Sequence, residues 1–197
     1  MKLHFTFLAM CVVIIAAGCQ KKDGGAANDA MKMKADSMKA AYTAMSAAWD
    51  AGKADEMDKY MTADVKENDM MMPNQKPGIA GIKEMVTSLK ASFPDMKSTV
   101  DWMGVDGDML TASFHVTATN SGPMMGMPAT NKKMTGVHGI DILKWQNGKF
   151  VEHWGVFDGM GMMMQLGMMP MPGATPAGGD MGKPGEMKDM GGDKKKM

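Results

Sequence analysis

Apolar and polar positions change their period part-way along the chain. In residues 29–51 the large apolar side chains Met31, Met38, Tyr42, Met45 and Trp49 recur at helical spacing, which predicts an amphipathic helix ending near Gly52. A short second helix is predicted over residues 54–61. A third is marked by Ile82, Met85, Val86, Leu89 and Phe93, begins after Pro77-Gly78 and is closed by Pro94. Beyond it the period becomes two: Leu110, Ala112, Phe114, Val116 and Ala118 alternate with Thr111, Ser113, His115, Thr117 and Thr119. An earlier strand is predicted over residues 98–105, separated from this one by the turn Asp106-Gly107-Asp108. Two further strands, 134–145 and 149–157, flank "QNGK", an Asn-Gly hairpin turn. Helices first and then an antiparallel meander predict an α+β fold, in which N-terminal helices pack on a curved antiparallel sheet.

The ends of the chain read differently. Residues 1–18 combine Lys2, an apolar stretch from Phe5 to Ile15 and small residues leading to Cys19, the pattern of a secretory signal too short for a comfortable membrane span. The "AAGC" stretch resembles the bacterial lipobox, which implies cleavage before Cys19 and lipid attachment to it. The expected location is the bacterial cell envelope, with a membrane partner held through lipidated Cys19. Gln20 after the cysteine points by analogy to the outer membrane, facing the periplasm, in a Gram-negative host. The chain has 2 cysteines, and Cys11 falls in the removed segment, so no thiol is expected for a disulfide or a thiolate metal site. Residues 19–28 read as a tether, 29–167 as one domain, and 168–197 as a disordered tail rich in Met, Gly, Pro and Lys. Lys+Arg 22 balance Asp+Glu 22, and there is no basic stripe with interleaved aromatics, so nucleic acid is not an expected partner.

"KPGIAGIKEMVTSLKASFPDMK", followed by "MMGMPATNKKMTGVHGIDILKWQNGKFVEHWGVFDGMGMMMQLG", resembles the SnoaL-like polyketide cyclase or ester cyclase family, within the nuclear transport factor two-like superfamily. The pieces that carry it are Pro-Gly-x-x-Gly-x-Lys at a helix start, Phe-Pro-Asp after that helix, Met-Gly-x-Pro-x-Thr, Gly-Ile-Asp-Ile and the closing Gln-Leu-Gly. The resemblance implies a cone-shaped fold and an apolar pocket between sheet and helices, with no cofactor. It also implies an acidic residue in the last strand that takes and returns a proton during ring closure. By the spacing from "NGK" through "EHW" that acid falls at position 155, where this chain has Gly155. The family's larger side chain there implies that an aspartate would fit.

Two residues stand in for the missing acid. Asp141 matches a second polar pocket position of some cyclases. His153 lies two residues from Gly155, hence on the same face of the strand, and its ordinary pKa near ~6.5 suits a base, although a plain hydrogen-bonded sheet residue is the default reading. Trp102, His115, Asn68, Asp69, Gly155 and Asp158 complete the expected ligand-binding set, and His138 reads as a structural or rim residue. The 30 methionines admit soft-metal binding, with Cu(I) held by pairs such as Met160 with Met162 or Met168 with Met171. Most, however, stand where the periods require an apolar filler, so no metal site is assigned. Three functions follow: a membrane-anchored domain binding a small, largely apolar molecule; a cyclase-like or isomerase-like enzyme with a relocated acid or base; and a Met-rich Cu(I)-binding protein. A homodimer is among the expected assemblies.

Overall fold

The structure, a computed structural model, describes residues 24–69 and 74–170. The expected signal segment, Cys19, the methionines at 70–72 and the tail after Pro170 lie outside the described residues. Helix α1 (Gly24–Asp50) is followed by a 3₁₀ turn (Ala54–Lys59), strand β1 (Met61–Glu67), helix α2 (Gly78–Ser92), strands β2 (Lys97–Asp106), β3 (Met109–Thr119), β4 (Lys133–Gln146) and β5 (Lys149–Phe157), and helix α3 (Gly159–Gln165). The five strands form one sheet in the order β1-β5-β4-β3-β2. The fold is α+β, with α1, α2 and α3 against one face of the sheet.

Three local features depart from the sequence reading. Helix α1 starts at Gly24, five residues before the expected 29, and its first turns stay exposed until Met38 is buried. The short helix over 54–61 is a 3₁₀ turn that ends at Lys59, because the chain turns extended at Met61. The sheet is mixed rather than a pure antiparallel meander: β1 pairs parallel with β5, with Glu67 beside His153. Strand β1, "MTADVKE", escaped the pattern because only Met61 and Val65 are buried along it and the next inward position carries a glutamate.

Turn chemistry holds the rest as predicted. At the end of α1, Lys53 N–H donates to Ala48 O and Gly52 N–H to Trp49 O, with Gly52 at φ +71, a Schellman closure that needs glycine. Asn147 (φ +49) and Gly148 (φ +84) form the β4–β5 turn, both left-handed as a two-residue hairpin requires. This turn sets the register in which Leu143 faces His153, Asp141 faces Gly155 and Gly139 faces Phe157.

The core forms two clusters. One contains Met38, Tyr42, Val65, Ile82, Leu110 and Phe150 between α1, α2 and the sheet. The other contains Phe93, Met96, Val116, Met134 and Leu166 beneath α3. A cavity opens between them, lined by residues of both.

Candidate active site

The cavity has a volume of about 220 Å³ and an almost wholly apolar wall. Eight of its lining residues are methionines, among them Met45 on α1, Met85 on α2, Met134 on β4 and Met162 on α3. Aromatic wall comes from Trp49, Phe93, Phe114 and Phe157. Its polar end is built by Tyr42, Asp141, His153 and the bare backbone of Gly155.

These groups form one hydrogen-bonded chain. The Tyr42 hydroxyl donates to Asp141 Oδ2 at 2.7 Å, and His153 Nε2 lies 3.2 Å from Asp141 Oδ1. On its other side, His153 Nδ1 lies 2.8 Å from Glu67 Oε2 and 2.9 Å from Oε1. Each partner comes from a different element: α1 supplies Tyr42, β1 Glu67, β4 Asp141 and β5 His153. The chain is largely shielded, with side-chain exposures of 7% for Glu67, 12% for His153 and 20% for Asp141.

Glycine at 155 makes the central link feasible. A Cβ there would stand 2.9 Å from His153 Cε1, 3.2 Å from Nε2 and 3.4 Å from Asp141 Oδ1. The imidazole therefore lies in the space a side chain at 155 would occupy, so the aspartate expected to fit there would have to displace the ring from Asp141. The carboxylate is also close to where the sequence comparison sought it. Asp141 and Gly155 are cross-strand partners, so the acid stands one strand away, on the same face and against the same cavity.

The environment sets the charge states. Burial of the His153 ring opposes protonation, but its hydrogen bonds to Asp141 and Glu67 and the charge of both carboxylates outweigh that, and its pKa is raised to about 10. Geometry leads to the same form, since only an imidazolium donates from both ring nitrogens. His153 is thus a cation at neutral pH, which corrects the expectation of a free base titrating near 6.5. Burial, and then the charge and hydrogen bond of Asp141, raise the Tyr42 hydroxyl far above the usual phenol range, so it remains a donor. Asp141 is left as the carboxylate facing the cavity.

The sequence model of the SnoaL-like polyketide cyclases matches residues 39–166, from the middle of α1 to the residue after α3. The chain belongs to this family. TsrD from Streptomyces laurentii has the same fold at 25% identity, with a TM-score of 0.63 over 68% of this chain and 97% of TsrD. AclR from Streptomyces galilaeus is 26% identical, with a TM-score of 0.58 over 68% of this chain and 83% of AclR. A SnoaL-like polyketide cyclase from Agrobacterium tumefaciens shares the fold at 19% identity and a TM-score of 0.53, over 66% of this chain and 97% of that one. No curated protein matches.

Within this SnoaL-like domain the expected site residues separate into three groups. Asp141, His153 and Gly155 meet at the polar end of the cavity. Asn68 and Asp69 do not line it; they hold the β5 backbone beneath the site. Asn68 donates from its backbone and side-chain nitrogens to His153 O, at 3.0 and 3.1 Å, and Asp69 Oδ2 accepts from Gly155 N–H at 3.2 Å. Trp102, His115 and Asp158 lie elsewhere, which corrects their assignment as ligand contacts. Trp102 is exposed on the outer face of β2. His115 pairs there with Asp101 at 2.8 Å, beside His138, and Asp158 caps α3 by accepting from Gly161 N–H at 2.8 Å.

Sequence reasoning missed Tyr42 and Glu67. Tyr42 was read as core, although a buried tyrosine needs a partner for its hydroxyl, and that need was the available signal. Glu67 was passed over in "VKEND" in favour of its neighbours. The Met160–Met162 pair, which the sequence admits for Cu(I) without assigning a metal site, is divided: Met162 packs on the second cluster and lines the cavity, whereas Met160 is exposed.

Proposed function

We propose that the domain is an acid–base catalyst of the cyclase kind, in which Asp141 takes a proton from carbon beside a carbonyl of a small substrate and returns it after the bond rearrangement. The observation that carries this reading is the position of Asp141: a carboxylate at the polar end of an apolar cavity, opposite Gly155, held at both oxygens by Tyr42 and His153. Apolar walls weaken competing solvation and bring the C–H bond close to the base.

The step balances without any group beyond these side chains. Asp141 accepts the proton as the C–H bond breaks and an enolate forms. In a ring closure the enolate carbon then bonds to a second carbonyl carbon of the same molecule, and the proton passes to the resulting alkoxide. In an isomerisation it returns to a different carbon. His153, a cation between Asp141 and Glu67, holds the base in place and offsets part of the negative charge that develops. Tyr42 orients the other oxygen of Asp141. The substrate's C–H is activated by its neighbouring carbonyl, which stabilises the enolate.

Hydrogen–deuterium exchange of 2-tetralone in D₂O, followed by NMR, tests the reading. Wild-type protein should accelerate exchange beside the carbonyl, and Asp141→Asn should slow it by about 10²-fold or more. Equal rates for the two proteins would remove Asp141 as the base. Binding without any acceleration would leave a pocket that binds a small apolar molecule as the domain's function.

A further inference from the structure

The cavity's size and charge narrow what enters it, and the inference that follows rests on the acid–base reading of the same site. An apolar protein cavity of about 150 Å³ accommodates benzene, while pockets for drug-sized ligands span roughly 300–1,000 Å³. At about 220 Å³, this cavity is roughly half again as large as the benzene-sized one. By proportion its interior holds roughly nine carbon-sized atoms, a substituted single ring, or a bicycle whose edge stands in the cavity's opening. Three fused rings exceed it.

The walls favour a flat, unsaturated ring. Eight thioethers and five aromatic side chains, Tyr42 included, face the space, and methionine sulfur makes favourable contacts with the edges of aromatic rings while its flexible chain adapts to their outline. Ser46, one helical turn after Tyr42, also lines the cavity.

Charge sets the second limit. Among the described residues no lysine lines the cavity, and its ionised groups are Asp141 on the wall, His153 as a cation and Glu67 behind it, together one net negative charge. Asp50, hydrogen-bonded to Ser98 of the cavity lining, adds a further negative group close to the cavity. A ligand carboxylate would lose its hydration on entering and meet negative charge with no cationic partner open to it, because both nitrogens of His153 are already engaged. Asp141 retains free lone pairs toward the cavity, which suit an acidic C–H or an enol O–H.

We infer that the substrate is a compact, uncharged carbonyl compound of one or two rings, at least one of them unsaturated, and that the site excludes both carboxylate-bearing analogues and larger fused polycycles. Calorimetric titration of the domain with three probes tests this. 2-Tetralone should bind. Tetralin-2-carboxylate and the three-ring ketone anthrone should each bind at least tenfold more weakly. In Asp141→Asn the discrimination against the carboxylate should shrink by at least threefold, because the charge that repels it has gone.

Carboxylate binding as tight as ketone binding, or discrimination unchanged in Asp141→Asn, would overturn the charge limit. Anthrone binding as tightly as 2-tetralone would overturn the size limit. The exchange measurement separates these failures from failure of the catalytic reading: exchange catalysed without selectivity leaves Asp141 as the base but removes this substrate class. Selective binding without exchange does the reverse.

Discussion

At position 155 a single methyl group decides whether the His153 ring reaches Asp141. Because a Cβ there would crowd Cε1 and Nε2, Gly155→Ala should push the imidazole off Asp141 while leaving its bond to Glu67. Exchange activity should fall by about tenfold, and the stability profile should change with it. The folded-state pKa of His153, about 10, lies above its ordinary 6.5, so the protonated ring contributes stability that is complete below about pH 6.5 and lost as pH rises through 10. In Gly155→Ala that loss should begin at lower pH, which urea titrations between pH 6 and 10 would detect; an unchanged profile would count against the Asp141 link. At this scale the sequence disclosed the titratable pair Asp141 and His153, since both sit at inward strand positions. It did not disclose their charge states, because these depend on Glu67 and Tyr42, which arrive from distant elements. Nor did it reveal that the ring fills the space above Gly155, because strand alternation says which face a side chain takes and not which way it leans.

Among the elements, β1 brings the most to the site and was the hardest to read. Its alternation is diluted by Asp64 and Lys66, and its inward Glu67 looks polar on any hydropathy pattern, yet that residue is inward because His153 needs it. The hairpin, the long alternating β3 and helix α2 were legible because each carries a local device: the Asn-Gly turn, strict period two, and the Pro77-Gly78 start. The last of these also supports β1. Gly78 has φ +68, and a Cβ on it would lie 2.6 Å from Ala63 O, so glycine lets α2 begin directly against the strand that presents Glu67. Gly78→Ala should therefore cost roughly 2–4 kcal/mol, from the left-handed backbone and the displaced contact together. Urea unfolding should show a lower midpoint with an unchanged slope, and a midpoint within error of wild type would mean that α2 is free to shift away from β1.

On the scale of the whole molecule, the site and the first turns of α1 stand apart. Tyr42 is the first residue to touch the cavity, and the first buried side chain of α1 is Met38. The helix begins at Gly24, so its first 14 residues extend about 20 Å at a rise of ~1.5 Å each before the helix packs on the body. We propose that Cys19, five residues before that helix, carries the lipid that the "AAGC" stretch implies, and that the exposed turns of α1 act as a spacer between membrane and fold. Two consequences can be separated by experiment. Cys19→Ala should move the protein from the membrane fraction to the soluble one, because several acyl chains on a single residue are enough to anchor it without an amphipathic helix. A chain beginning at Gly24 should keep the exchange activity of the full protein within about twofold, since every group of the Tyr42–Asp141–His153–Glu67 chain lies beyond the spacer. Membrane association that survives Cys19→Ala with an unmodified N-terminus would refute the anchor, whereas loss of activity on removing residues 1–23 would refute the spacer and make the N-terminal segment part of the catalytic unit.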